Sequence, residues 1–183
     1  MPTPFFTYSL LAIGLASGLG SAQAHVTLQD PLAASGTSYR AVLRVGHGCD
    51  GSATTRLTVL IPDGFTAAQP LVKPGWTLST RSGTLAEPYE MHGTRYTEGV
   101  QEITWTAKGP DQALPDAFGD EFVFRGTTPK KPGTLWFKVL QACEKGRLAW
   151  DEVPATGDAT HGLKSPAARL QILDMSSSPE HHH

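Results

Sequence analysis

The sequence lacks an excess of positive charge, a long apolar run beyond its first 24 residues, and any sustained helical periodicity. Fifteen Lys and Arg residues stand against 17 Asp and Glu residues, a formal net charge of −2, so the basic footprint of a nucleic-acid-binding protein is missing. No second stretch of about 20 apolar residues is present, so no membrane span is expected in the mature protein. The motifs Gly-x-Ser-x-Gly and His-Glu-x-x-His are also absent, which disfavours hydrolase functions.

Cysteine is scarce, with Cys49 and Cys143 the only two in the chain. In an exported protein two cysteines most simply form one disulfide. A thiolate copper site would instead need two histidines and a weak axial ligand, and after Cys143 no histidine occurs before His161. The sequence therefore favours a Cys49–Cys143 disulfide over a metal site.

Residues 1–24 resemble a secretory leader. An apolar run over residues 8–16 is followed by small residues and ends in Ala22-Gln23-Ala24, the pattern that signal peptidase cleaves. One feature departs from the pattern, since no Lys or Arg precedes the apolar run. Cleavage here predicts export to the periplasm or the exterior and a mature chain that begins at His25.

A histidine at a free N-terminus can bind a metal ion by itself. Its α-amine and its ring Nδ1 close a six-membered chelate ring on one ion, and such nitrogen donors suit Cu(II). His25 is therefore predicted to bind Cu(II) through both nitrogens. The competing interpretation is a surface histidine that cleavage merely exposes.

The remaining chain consists of short alternating segments separated by Gly and Pro, which number 19 and 14 in the full sequence. This pattern predicts an all-β sandwich of eight or nine strands. In one segment Phe118, Phe122 and Phe124 fall on one face at period two. Residues 25–174 are expected to form this domain, and residues 175–183 a disordered polar tail whose last three histidines are either natural or the remnant of an expression tag. The predicted strands cover residues 25–28, 39–45, 54–61, 71–78 (interrupted by a Pro-Gly turn), 99–106, 118–125, 134–142, 147–153 and 169–173.

Seven stretches, in chain order, carry a resemblance to one known family. They are Ala24-His25-Val26-Thr27-Leu28, Gly46-His47-Gly48-Cys49-Asp50-Gly51, Ile61-Pro62-Asp63-Gly64, Lys73-Pro74-Gly75-Trp76, Leu114-Pro115-Asp116 with Asp120-Glu121-Phe122, Gln141-Ala142-Cys143-Glu144, and Trp150-Asp151-Glu152-Val153-Pro154. Together they resemble the YcnI-like family of exported copper-binding proteins, from His25 to about Leu173.

The resemblance implies an immunoglobulin-like or cupredoxin-like sandwich that handles copper in the periplasm. It implies Cu(II) held by the N-terminal histidine in a single-histidine brace, with a tryptophan near the metal. Some members carry a C-terminal membrane helix or an appended copper-chaperone domain, and this sequence shows neither. A handover partner is therefore expected to be a separate periplasmic copper chaperone or a membrane copper transporter.

The near-metal tryptophan maps onto Trp150, for which an ordinary core position is the alternative. Trp76 and Trp105 are expected in the core. Carboxylate oxygen or water could complete a Cu(II) site, and Glu121 is the carboxylate candidate, because a strand directs Asp120 and Glu121 to opposite faces. For Glu121 a solvent-facing position is the alternative.

His47 is a further candidate near the metal, and its alternative is a loop histidine that hydrogen-bonds the backbone. His92 and His161 have no supporting spacing. The leading function is a non-catalytic Cu(II)-binding protein for copper trafficking or homeostasis. The alternatives are a copper oxidase resembling the polysaccharide monooxygenases, which would need one of these three histidines as a second ligand, and a metal-free adhesive or carbohydrate-binding sandwich.

Overall fold

The structure is a computed structural model that describes residues 25–174. The predicted leader and the predicted tail lie outside the described residues. Within them the chain forms eleven strands and one turn of 3-10 helix at Pro110–Gln112. The strands are β1 (Thr27–Leu28), β2 (Leu32–Ala34), β3 (Ser38–Val45), β4 (Thr54–Leu60), β5 (Thr66–Pro70), β6 (Trp76–Met91), β7 (Thr94–Ala107), β8 (Asp120–Thr127), β9 (Gly133–Cys143), β10 (Arg147–Trp150) and β11 (Ala168–Leu173).

The strands form two sheets. The smaller sheet has the order β1-β3-β8-β5 and is antiparallel throughout. The larger sheet has the order β2-β11-β9-β4-β7-β6, and β2 alone runs parallel to its neighbour. The short strand β10 pairs with β9 beyond the segment that pairs with β11. Strand β9 is therefore central, as its apolar composition predicts.

Aromatic side chains join the two sheets across one core. Phe124 of β8 packs on Phe137 of β9 with ring centroids 5.5 Å apart, and Phe122 of β8 packs on Trp105 of β7 at 5.6 Å. All four side chains are fully buried. Trp76 is also buried and contacts Phe122. The expected core positions of Trp76 and Trp105 are thus correct.

Two details of the strand prediction are wrong. Phe118 does not share the inward face of Phe122 and Phe124 but is 63% exposed, because β8 begins only at Asp120 and the alternation cannot extend back through Gly119. The predicted Pro-Gly turn within residues 71–78 is present, but residues 71–75 are not part of a strand: they separate β5 from β6, which begins at Trp76. The backbone reverses at Gly75, whose φ is +77°, and the Trp76 N–H donates to the Lys73 carbonyl.

The remaining differences are strands that the pattern missed or made too short. Strand β2 has only three residues, and β5 has the sequence Thr-Ala-Ala-Gln-Pro, which lacks the β-branched run of a typical strand. Strand β5 lies at a sheet edge, where a proline is tolerated. Strands β6 and β7 form one long hairpin that turns at His92 and Gly93, both with positive φ.

The predicted disulfide is confirmed. Cys49 and Cys143 are bonded, with Cα atoms 5.9 Å apart and a sequence separation of 94. Both residues are buried. The bond ties the loop after β3 to the C-terminal end of β9, so it holds together the end of the sandwich where β1 also begins.

Candidate metal centre

His25, His47 and Trp150 meet at one end of the sandwich although they are far apart in sequence. His25 lies two residues before Thr27, the first residue of β1. Strand β1 pairs with the C-terminal half of β3. His47 lies in the loop that follows β3, and Trp150 is the last residue of β10. The sheet pairing of β1 with β3, and of β10 with β9, therefore brings the three side chains together.

Trp150 is the centre of this cluster. It is 2% exposed, and its ring makes edge contacts with His25 at a centroid distance of 5.8 Å and with His47 at 6.1 Å. Both interplanar angles are 71°, the edge-to-face arrangement that aromatic rings favour. Trp150 is therefore both a core residue and a neighbour of His25, so the two interpretations of this tryptophan do not exclude each other.

The indole N–H of Trp150 takes part in a buried hydrogen-bond network around Gln141. Trp150 Nε1 donates to Gln141 Oε1 at 2.9 Å. Gln141 Nε2 donates to the His47 carbonyl oxygen and to Thr54 Oγ1, each at 2.7 Å. Gln141 is 1% exposed and Thr54 is fully buried, so this network is shielded from solvent.

His47 is a loop histidine that contacts its own backbone, as the alternative interpretation expected. Its Nδ1 lies 2.6 Å from the carbonyl oxygen of Gly48. A carbonyl oxygen only accepts, so Nδ1 must be the protonated nitrogen, and in the neutral ring Nε2 carries the lone pair. The loop is fixed a second time, because the Gly48 N–H donates to Asp116 Oδ1 at 3.0 Å.

Glu121 lies on β8, two strands away from β1. Thr27 of β1 is opposite Arg44 of β3, and Arg44 is opposite Glu121. The Glu121 carboxylate is 3.5 Å from Arg44 Nε. The neighbouring Asp120 is paired with Lys73 at 2.7 Å. Glu121 would have to leave Arg44 to reach a metal at His25, so as a ligand it stays a prediction.

The other histidines of the described chain are elsewhere. His92 lies in the turn of the β6–β7 hairpin, and His161 lies in the exposed loop before β11. Within residues 25–174 no three His, Cys, Asp or Glu side chains are grouped so that they could hold a metal ion.

A model of a protein family described as a domain of unknown function, DUF1775, matches residues 25–172. The chain belongs to this family, the YcnI-like family. The resemblance found in the sequence is thereby confirmed. None of the curated proteins matches the sequence.

Solved structures support the fold of this YcnI-like protein. The crystal structure of an uncharacterized protein from Nocardia farcinica, described as an immunoglobulin-like fold, has a TM-score of 0.62 and 25% identity, and covers 81% of this chain and 97% of that one. The all-β immunoglobulin-like prediction is therefore confirmed. A putative membrane anchored protein from Corynebacterium diphtheriae has a TM-score of 0.42 and 11% identity, over 85% of this chain and 36% of that one. This second likeness is too distant to inform function.

The YcnI-like domain also has an open groove beside His25. Its volume is about 330 Å³, and the ion pair between Arg169 and Asp158, at 2.9 Å, contributes to its wall. The groove leaves room for water or for a donor atom of another molecule next to His25. Its lining residues are His25, Val26, Thr27, Leu28, Pro31, Asp158, Ala159, Thr160, Pro166, Ala167, Ala168 and Arg169.

Within the described chain, no helix is both long enough and apolar enough to cross a bilayer.

Gln141 was not predicted as a site residue, although the sequence contains a signal for it. On β9 the inward positions are Phe137, Val139, Gln141 and Cys143, all buried. A glutamine in this otherwise apolar row is unusual, because a buried amide is costly unless its hydrogen bonds are satisfied. A glutamine at an inward position of β9 indicates buried polar partners. The sequence alone could not identify those partners.

Proposed function

We propose that the protein is exported, cleaved after Ala24, and then binds one Cu(II) ion through the α-amine and Nδ1 of His25. Its role is copper trafficking or homeostasis without catalysis. The observation that carries this proposal is the contact of the half-buried His25 ring with the buried indole of Trp150. That contact limits the orientations of the imidazole, so less conformational entropy is lost when the chelate ring closes.

The available donors favour Cu(II) over softer ions. Both cysteines are in the disulfide, so the described chain offers no thiolate for Cu(I) or for a zinc thiolate site. The two nitrogens of His25 suit Cu(II), and water or a carboxylate would complete the site. Because the groove beside His25 is open, another molecule could replace those weak ligands. This supports release to a separate copper chaperone or membrane transporter.

A copper oxidase is the second candidate, because His47 contacts the same indole as His25 and its neutral ring presents Nε2. Because the ring centroids of His25 and His47 lie 5.8 and 6.1 Å from that of Trp150, they are within about 12 Å of each other. An oxidase of the polysaccharide monooxygenase type would use a second histidine as its third nitrogen ligand. The number of nitrogens bound to copper therefore separates the two functions.

The decisive experiment compares mature protein that begins at His25 with the same protein acetylated only at its α-amine. Both should end at Glu180, so that the terminal histidines cannot bind copper. Competition with a chromophoric chelator measures Cu(II) affinity, and electron paramagnetic resonance counts the bound nitrogens. We expect acetylation of the α-amine and His25→Ala each to weaken binding by more than about a hundredfold, since loss of a ligand should exceed the 10- to 100-fold cost of an outer-shell change. His92→Ala, in the turn of the β6–β7 hairpin, is the control and should have no effect.

Proton release gives an independent measurement. The α-amine and the imidazole must both be deprotonated to bind Cu(II), so binding should release protons and weaken as the pH falls. Full affinity in the acetylated protein would show that the amine is not a ligand. A third bound nitrogen that disappears in His47→Ala would favour the oxidase, and a wild-type protein that binds no Cu(II) would favour a metal-free sandwich.

A further inference from the structure

We propose that Gln141 is the positioning residue of the His25–Trp150 site, an inference that rests on the proposed function. Its side-chain amide holds the indole of Trp150 in the orientation that contacts His25. The same amide fixes the loop that carries His47. Gln141 acts on the His25 ring through Trp150: it bonds to the indole, and the indole contacts His25.

An amide at this position matches the chemistry of its partners. An indole N–H can only donate and a backbone carbonyl can only accept. The side chain between Trp150 and the His47 carbonyl must therefore both accept and donate, and the amide does so with Oε1 and Nε2. The two contacts, at 2.9 and 2.7 Å, also settle the orientation of the amide, since Oε1 must face the indole. A carboxylate would lack the donor, and an apolar side chain would lack both groups.

The strand pairing explains why Gln141 can reach both partners. Trp150 is opposite Val139 on β9, and Gln141 is opposite Leu148 on β10. Trp150 and Gln141 are therefore diagonal neighbours on one face of the sheet. The second amide hydrogen is satisfied by Thr54 Oγ1 at 2.7 Å. Because Gln141 and Trp150 are both buried, water cannot replace a lost partner.

The test compares Gln141→Leu with Gln171→Leu in mature protein that begins at His25. Gln171 is a matched control because it also lies on a strand, donates to a backbone carbonyl and accepts from a threonine, but on β11 with Gly133 and Thr134. Hydrogen exchange of the Trp150 indole N–H, followed by NMR without copper and assigned with Trp150→Phe, reports whether the indole is held. Cu(II) affinity and the electron paramagnetic resonance spectrum report the metal site.

In Gln141→Leu we expect indole exchange to be at least about tenfold faster and Cu(II) binding to be about 10- to 100-fold weaker, the usual range for a residue that orients a ligand. Gln171→Leu should change neither. If the indole N–H of Gln141→Leu exchanges at the same rate as in the wild-type protein, the proposal is overturned. A loosened indole with unchanged copper affinity and spectrum would also overturn it, because Gln141 would then be only structural.

Two further outcomes keep the test decisive. If Gln141→Leu does not fold, Gln141→Met replaces it, because its side chain has a similar length and volume but cannot donate to the His47 carbonyl. It should shift the His47 ring resonances, and unchanged resonances would overturn the proposal. If wild-type protein binds no Cu(II), the proposed function falls and the metal half of this proposal falls with it. Indole exchange then still supports or overturns the positioning of Trp150.

Discussion

Removing the disulfide with the double substitution Cys49→Ala and Cys143→Ala tests how this end of the sandwich is stabilised. The bond closes a loop with a sequence separation of 94. In the chain-entropy model a loop of that length stabilises the folded state by about 4 to 5 kcal/mol, because the cross-link restricts the unfolded chain. For a domain of this size each kcal/mol corresponds to about 2 to 4 °C in melting temperature. The melting temperature should therefore fall by roughly 10 to 20 °C.

Urea unfolding followed by circular dichroism measures both the free energy of unfolding and its dependence on urea. If the bond acts mainly through the unfolded state, the double variant should also show a larger m-value, since its unfolded chain exposes more surface. The control is wild-type protein with the disulfide reduced, which should behave like the variant. A loss of less than about 1 kcal/mol with an unchanged m-value would refute the loop-closure argument.

Two further predictions concern single residues. Burial and the nearby Asp30 carboxylate raise the pKa of Tyr39, so the unfolded state releases its proton first. Stability should therefore fall as pH rises above about 10, the ordinary tyrosine value, and urea unfolding of Tyr39→Phe should lack this fall. Gly48→Ala would drive a methyl group into the carbonyl oxygen of Ser52. We expect a loss of about 1 to 3 kcal/mol and a displaced His47 ring, and an unchanged melting temperature with unchanged ring resonances would contradict this.

Local patterns in the sequence were sufficient for most of the fold and for the disulfide. The alternation of apolar and polar residues predicts β3, β4 and β9 to within one residue at each end, because a half-buried strand must alternate. The disulfide follows from a cysteine count of two in a chain with a predicted export signal. The strands that escaped prediction, β2 and β5, are too short or too poor in β-branched residues to leave a pattern.

The prediction of His25 as a copper ligand also needed no tertiary structure, since it depends only on the place of His25 next to a predicted cleavage motif. The sequence by itself could not decide what surrounds that residue. Trp150 and Gln141 are brought to His25 by strand pairing between distant segments, and the partner of Glu121 is set by the register of β8 on β3. Pairing and register depend on how both sheets pack over one shared core, so no local stretch of sequence determines them. Tertiary structure alone therefore decided that a buried indole, fixed by a buried amide, lies beside the predicted metal ligand.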